Sequence, residues 1–217
     1  MISGGLQDFQ TNPLGGPLPS ELLIYGAKYV PCIKGSGQWW RIISNMFVFG
    51  GVIQFGLSVV VILMLGYEIE QDYGPIRAGI VYLATGIMGT IFGAIWMPQW
   101  ITAGGDIPLF GWFGLSFASV IKQWYSLNNK PRAISCCTCN IVLQLAVGLL
   151  PSVDNFGHLG AFIAGFFISM SLLPRPIKEL NEELMDFEML GSTSTSPMRS
   201  NTHSGVNPFS TFENVIR

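Results

Sequence analysis

Five long apolar runs divide the chain. We call them spans A to E, and they cover residues 42–66, 78–97, 107–121, 133–151 and 156–174. At 1.5 Å per helical residue, spans A and B are each long enough to cross a hydrocarbon core of about 30 Å. The pattern therefore predicts an all-α membrane protein with five transmembrane helices.

Span C differs from the others, because its helix would reach only about 23 Å. It is too short to cross the membrane alone, so we expect it to begin below the membrane surface. Irregular backbone at that depth is tolerated only inside protein or beside a water-filled cavity. The loop around Gly104, Gly105 and Asp106 is therefore predicted to dip into a polar cavity.

The polar segments complete the domain organisation. Residues 1–41 are predicted to form an external or interfacial loop, and residues 42–174 a transmembrane domain. The segment 175–217 turns polar, with an acidic stretch and a Ser/Thr-rich stretch, and is predicted to be a disordered cytosolic tail.

Composition agrees with a lipid environment. Of the 217 residues 49% are hydrophobic and 11% are charged, whereas soluble domains carry roughly 25% charged residues. The net charge of -2 and the scattered basic residues argue against nucleic acid binding. The first twenty residues lack the pattern of a signal peptide, so insertion is expected to depend on an internal span.

The basic residues favour one orientation. Short loops on the side of the C-terminal tail hold Arg77, Lys122, Lys130 and Arg132, whereas the opposite loops hold only Asp106 and Asp154. Because positive residues prefer the cytosolic side, the tail is predicted to be cytosolic. Three basic residues before span A conflict with this orientation, namely Lys28, Lys34 and Arg41.

Short motifs resemble the eukaryotic rhomboid intramembrane proteases. They are NPLGGP at 12–17, GAK at 26–28, GQWWR at 37–41, Glu70 with Gly74, and DNFGHLGA at 154–161 followed by Gly165. The resemblance covers residues 12–174 and implies a rhomboid-like helical bundle in which spans A to E match the second to sixth rhomboid spans. The first rhomboid span has no counterpart. His158 matches the family's catalytic histidine.

The sequence differs from the family pattern at the positions of the nucleophile and of the oxyanion donors. The family motif GxSGxxFG matches residues 104–111, which places Asp106 at the nucleophilic serine and Ile107 at the following glycine. Gln54 and Ser58 replace a histidine and an asparagine that would donate to the oxyanion. A Ser–His mechanism needs an activatable hydroxyl beside the base, and an aspartate has none.

Other matched residues are expected to be structural. The resemblance implies this role for Arg41, Glu70, Gly160 and Gly165. Asp154 is predicted to cap the first turn of span E, because an aspartate there accepts from free backbone N–H groups. Asp106 and His158 are predicted to pair across spans C and E, since ionisable residues at membrane depth usually have a partner.

Three functions remain open from the sequence. The first is a pseudoprotease that binds transmembrane segments of client proteins and affects their trafficking or degradation. The second is an active intramembrane serine endopeptidase, for which Ser116 is the alternative nucleophile. The third is a truncated rhomboid product without independent function. We expect no metal and no cofactor.

The tail suggests a further partner. Residues Asn207, Pro208 and Phe209 resemble the ligand of EH-domain endocytic adaptors, although three residues match by chance often. The identity of the client and of the organelle has no signal in the chain.

Overall fold

The computed structural model describes residues 6–10, 12–124 and 152–172, together with single positions at 131, 134, 135, 138, 139, 141, 142, 146, 184 and 185. The chain divides into two units, Met1–Asn181 and Glu182–Arg217. Most of span D, and the tail except Leu184 and Met185, lie outside the described residues.

Seven helices can be delimited in the described part of the first unit. Three short helices come first: α1 (Pro19–Ile24), α2 (Val30–Gly35) and α3 (Arg41–Ser44), the last followed by a 3₁₀ turn at Asn45–Phe47. Four longer helices follow: α4 (Val52–Tyr73), α5 (Pro75–Trp96), α6 (Ile107–Lys122) and α7 (Asn155–Leu172). Helix α4 widens into a π turn at Ile62–Gly66.

Within the described ranges, three helices, α4, α5 and α7, are long and apolar enough to cross a membrane. Their outer faces carry large apolar side chains; Leu63 and Met64 on α4, for example, are 69% and 70% exposed. A soluble protein rarely exposes apolar surface on this scale, whereas lipid accepts it. The chain is therefore an integral membrane protein with a helical bundle, as the sequence predicted. The count of five spans stays a prediction, because span D is mostly outside the described residues.

Helix α6 is shorter and lies in the middle of the bundle. Every residue from Ile107 to Leu115 is buried, although α6 has only 16 residues. It packs between α5 and α7, and its aromatic residues fill the core with those of its neighbours. A helix enclosed on all sides need not span the membrane by itself.

Small residues allow these helices to approach closely. A Cβ atom at Gly165 of α7 would lie 2.7 Å from the carbonyl carbon of Gly111 on α6. One at Gly89 of α5 would lie 2.6 Å from the carbonyl oxygen of Gly157. Neither distance leaves room for a side chain, so glycine sets the helix spacing at both crossings.

The start of span A was predicted wrongly. The apolar run begins at residue 42, but the membrane-length helix begins at Val52, after the short helical turns of residues 41–47. The helical structure is interrupted at Gly50 and Gly51. There the loop at residues 12–16 packs so closely that a side chain at Gly51 would collide with Leu14. Apolar composition alone does not reveal such a break.

That N-terminal loop completes the first turn of α4. The N–H groups of a first helical turn lack partners within the helix. Here the carbonyl oxygen of Leu14 accepts from the N–H of Ile53 at 3.1 Å, and that of Gly15 accepts from Val52 at 3.4 Å. The side-chain amide of Asn12 also donates to the Gly50 carbonyl at 3.1 Å. The NPLGGP motif is therefore part of the folded core.

The basic residues before α4 are not all free charges. Lys28 is fully buried and bound to Asp154, and Arg41 is 6% exposed and donates to two backbone carbonyl oxygens. Only Lys34 of the three is exposed. Because paired, buried charges do not act as free juxtamembrane charges, the conflict with a cytosolic tail is weaker than the sequence suggested. The orientation itself stays a prediction.

Candidate functional site

The loop before α6 is held in place by its backbone. Thr102 exchanges two backbone hydrogen bonds with Lys28, at 3.1 and 3.2 Å. The N–H of Ala103 donates to Ser152 at 2.8 Å, and the N–H of Gly105 donates to Val48 at 2.8 Å. Residues 102–106 are all buried in protein. Irregular backbone at this position thus has hydrogen-bond partners from segments on either side of it.

Asp106 and His158 meet at the end of this loop. Nε2 of His158 lies 3.0 Å from Oδ1 of Asp106, and both side chains are at most 1% exposed. The imidazole also stacks on the ring of Phe110, with centroids 4.0 Å apart and an angle of 9° between the planes. The chain thereby brings together the two residues that the sequence analysis expected to pair.

Nε2 of His158 and Oδ1 of Asp106 are close enough for an ion pair, but they are not aligned as a hydrogen bond. The His158 ring and the Gln54 amide both adjoin the Asp106 carboxylate. Neither contact has the alignment of a hydrogen bond. The backbone of Asp106 itself also adjoins the carboxylate. Asp106 stands at the N-cap position of α6, yet its side chain does not cap that helix. The carboxylate instead lies beside His158 and Gln54.

Two further polar residues face the bundle from α4. Gln54 and Ser58 are each 1% exposed and, being four residues apart, lie on one face of the helix. Oε1 of Gln54 accepts from the backbone N–H of Gly50 at 2.6 Å. Nε2 of Gln54 and Oγ of Ser58 have no hydrogen-bond partner within the described ranges. Buried polar atoms usually have one, so these positions form a polar interior rather than ordinary core.

Asp154 caps the helix that carries His158. Its Oδ1 accepts from the N–H of Gly157 at 2.9 Å, and its carbonyl oxygen accepts from the N–H of His158 at 3.0 Å. Its Oδ2 binds the Lys28 ammonium and accepts from the hydroxyl of Thr102 at 3.3 Å. Burial lowers the pKa of Lys28 from its ordinary value, and the Asp154 carboxylate opposes that effect.

The remaining residues that the resemblance assigned to structure lie in different environments. Arg41 donates from Nη1 to the carbonyl oxygens of Leu23 and Ala27, at 2.7 and 3.0 Å. Gly160 packs against the ring of Phe92, and Gly165 against Gly111. Glu70 is exposed, so its structural role stays a prediction.

Turn geometry after α4 depends on Gly74. Its φ of 84° lies in the left-handed region, which glycine adopts without strain. It also donates its N–H to the Glu70 carbonyl at 2.8 Å, so the backbone of the Glu-x-x-x-Gly motif ends the helix.

Sequence reasoning missed Lys28 and Thr102 as parts of this region. In the sequence, Lys28 stood out as a misplaced charge and as part of the GAK motif, but no partner was assigned to it, and Thr102 was not singled out. The one available signal was the lysine of the GAK motif, since a lysine is almost never fully buried unless it is paired. No cluster of three or more His, Cys, Asp or Glu residues able to hold a metal lies in the described part of the chain.

Among the described residues, neither ring nitrogen of His158 has a hydroxyl group as hydrogen-bond partner. The imidazole faces a carboxylate, which can accept or share a proton but does not form an acyl intermediate as a serine does. Ser116 is half-buried on α6. It lies ten residues from Asp106, or about 15 Å along the helix axis.

Comparison with known proteins places this site in a family. The Rhomboid domain matches residues 36–175. RHOMBOID-like protein 2 of Arabidopsis thaliana is 34% identical over 170 residues, which cover 78% of this chain and 54% of that protein. The chain spans about half the length of the first curated relatives it matches.

Two of the similar proteins are named as inactive. Inactive RHOMBOID-like protein 8 of Arabidopsis thaliana is 27% identical over 170 residues, which cover 78% of this chain and 48% of that protein. Inactive rhomboid protein 1 of Danio rerio is 32% identical over 137 residues, which cover 63% of this chain and 16% of that protein. The motifs, the helical bundle and the domain match agree, and the chain belongs to the rhomboid family.

Proposed function

We propose that this rhomboid-family protein is a pseudoprotease that binds the transmembrane segments of client membrane proteins and affects their trafficking or degradation without cleaving them. The observation that supports this most is the contact between His158 and Asp106 at 3.0 Å. At the position matching the family's serine, the base meets a carboxylate.

Three positions act together in this argument. Asp106 supplies no hydroxyl, so the first bond-forming step of serine catalysis has no nucleophile. Gln54 and Ser58 stand where the family donates to the oxyanion, and losing one such donor can reduce the rate by about a hundredfold or more. Oε1 of Gln54 is already an acceptor for the Gly50 N–H. Its Nε2, the donor atom of this side chain, adjoins the Asp106 carboxylate.

Similar proteins offer support of a limited kind. Two of them carry the word inactive in their names, whereas RHOMBOID-like protein 2 does not. The family therefore includes members named as inactive, and the residues of this chain are the evidence for its own condition. A rhomboid bundle can bind a client without the missing hydroxyl.

Client binding can be tested in proteoliposomes. The full chain and a fluorescent transmembrane peptide are reconstituted together, and energy transfer from a labelled protein is measured. The control peptide is a polyleucine helix of the same length. Saturable transfer with the client peptide, competed by its unlabelled form and absent with polyleucine, is expected. Equal, non-saturable transfer with both peptides would contradict client binding.

A serine endopeptidase is the competing function, and it has a separate test. A fluorophosphonate probe labels an activated serine covalently. We expect no labelling of the full chain above that of its His158→Ala variant. Labelling that is lost in both His158→Ala and Ser116→Ala would establish a serine protease instead.

The tail proposal is independent of the membrane site. Asn207, Pro208 and Phe209 lie outside the described residues, and their match to EH-domain ligands rests on the sequence alone. A purified EH domain should bind a peptide of residues 201–217, and Phe209→Ala should abolish that binding. Equal binding of both peptides would exclude the motif as the ligand.

A further inference from the structure

A buried ion pair, between Lys28 and Asp154, joins two distant segments next to the site. Lys28 and Asp154 are 126 positions apart in sequence, and both side chains are completely buried. A pair of charges taken fully out of water is expensive unless other hydrogen bonds complete it. Such a pair therefore calls for a physical account.

Here the hydrogen bonds that complete the pair come from the site's own segments. Asp154 receives the Lys28 ammonium and the Thr102 hydroxyl on Oδ2, and the Gly157 N–H on Oδ1. The backbone of Lys28 is fixed as well, because its N–H donates to Oδ1 of Asn45 at 3.0 Å. Both oxygens of the carboxylate are thus occupied, and the backbone of Lys28 is anchored.

The position of this pair relative to the site follows from the sequence. Thr102 precedes Asp106 by four residues, and Asp154 precedes His158 by four residues. The carbonyl oxygen of Asp154 also accepts the N–H of His158. A displacement of Asp154 is therefore passed directly to the first turn of α7.

The backbone of α5 packs directly against the Asp154 carboxylate. A Cβ atom at Gly93 of α5 would lie 2.7 Å from the carboxyl carbon of Asp154. The carboxylate thus sits between the backbone of α5 and the ammonium of Lys28, with Thr102 beside it. Removing the ammonium leaves a buried carboxylate without its counter-charge, so it either takes up a proton or moves toward solvent. In either case its hydrogen bond from the Gly157 N–H weakens, and with it the cap of α7.

We propose that Lys28 is a positioning residue for His158: by binding Asp154 together with Thr102, it sets the place of the histidine relative to the loop that carries Asp106. The inference goes beyond the proposed function, since it concerns how the pair is held whether or not clients bind. Its failure leaves client binding untouched, because that is measured by energy transfer.

The test uses the full chain in lipid nanodiscs with ¹⁵N-labelled histidine. The chain has two histidines, so a His203→Gln background leaves only the ring signals of His158. In this background Lys28→Met should shift the His158 ring nitrogens in the folded protein, and its carbethoxylation should become at least about tenfold faster because the start of α7 opens more often. Lys28→Arg, which keeps the charge, should restore most of both signals.

Two matched variants separate positioning from general stability. Lys34→Met removes an exposed lysine from the neighbouring helix α2 and should change neither signal. Asp154→Asn keeps a side-chain oxygen for the cap, and in that background Lys28→Met should have little additional effect, because partners in one network are not additive. If Lys28→Met does not fold, Thr102→Val removes only the hydroxyl and should shift the ring nitrogens in the same direction.

Either of two results would overturn the proposal. The first is a folded Lys28→Met protein, or a folded Thr102→Val protein, whose His158 nitrogens and carbethoxylation rate match those of the background. The second is a full effect of Lys28→Met in the Asp154→Asn background, which would show that Lys28 does not act through Asp154.

Discussion

Replacing Gly165 by alanine tests the close crossing of α6 and α7. A methyl group there would lie 2.7 Å from the carbonyl carbon of Gly111 and 2.9 Å from its Cα atom. Both are backbone atoms, so relief requires α6 and α7 to separate. Overpacking of this kind costs about 1–3 kcal/mol, whereas alanine is intrinsically the better helix former by up to about 1 kcal/mol. We therefore expect a net loss of about 1–2 kcal/mol.

The matched control is Gly79→Ala in α5. A Cβ atom at Gly79 meets no other group within 4 Å, so this change carries the helix-propensity gain without the collision. Thermal unfolding in detergent, followed by tryptophan fluorescence, compares the two variants. For a chain of this size about 1 kcal/mol corresponds to roughly 2–4 °C, so Gly165→Ala should melt several degrees below Gly79→Ala. Equal melting temperatures would refute glycine-limited packing at this crossing.

Two further predictions concern the N-terminal loop and the orientation. Arg41→Met should lower the free energy of unfolding by about 2 kcal/mol or more, because the carbonyl oxygens of Leu23 and Ala27 lose a charged donor; chemical unfolding that matches the parent protein would contradict this. A protease site placed after Arg217 should be cut from the cytosolic side in sealed membranes, as the positive loops predict. Protection of that site until the membrane is opened would reverse the orientation.

Helix positions within the bundle could be predicted largely from apolar length. Span B was expected at 78–97 and α5 is Pro75–Trp96, and span C was expected at 107–121 and α6 is Ile107–Lys122. Charged or polar residues bound both runs, so the ends are visible in the sequence. Span A failed because its limit is the close contact of Gly51 with Leu14, which is a tertiary feature.

In the site, too, one contact could be predicted from the sequence and another could not. The nearness of Asp106 and His158 followed from motif positions, because two aligned motifs already imply a shared site. Lys28 and Asp154 also lie in matched motifs, GAK and DNFGHLGA, but the resemblance assigned them no shared site. Their ion pair joins two residues that local periodicity treats separately, and a buried lysine looks the same as a free one in a charge count.

Cleavage of a transmembrane substrate tests the central claim of the account most directly. The unaltered full chain, its His158→Ala variant and its Asp106→Ser variant are reconstituted in proteoliposomes with a model transmembrane substrate, beside a proteolytically active rhomboid protein as the positive control. The account predicts cleavage by the positive control alone, with Asp106→Ser still inactive because Gln54 and Ser58 do not restore the oxyanion donors. Cleavage by the unaltered protein that disappears in His158→Ala would contradict it.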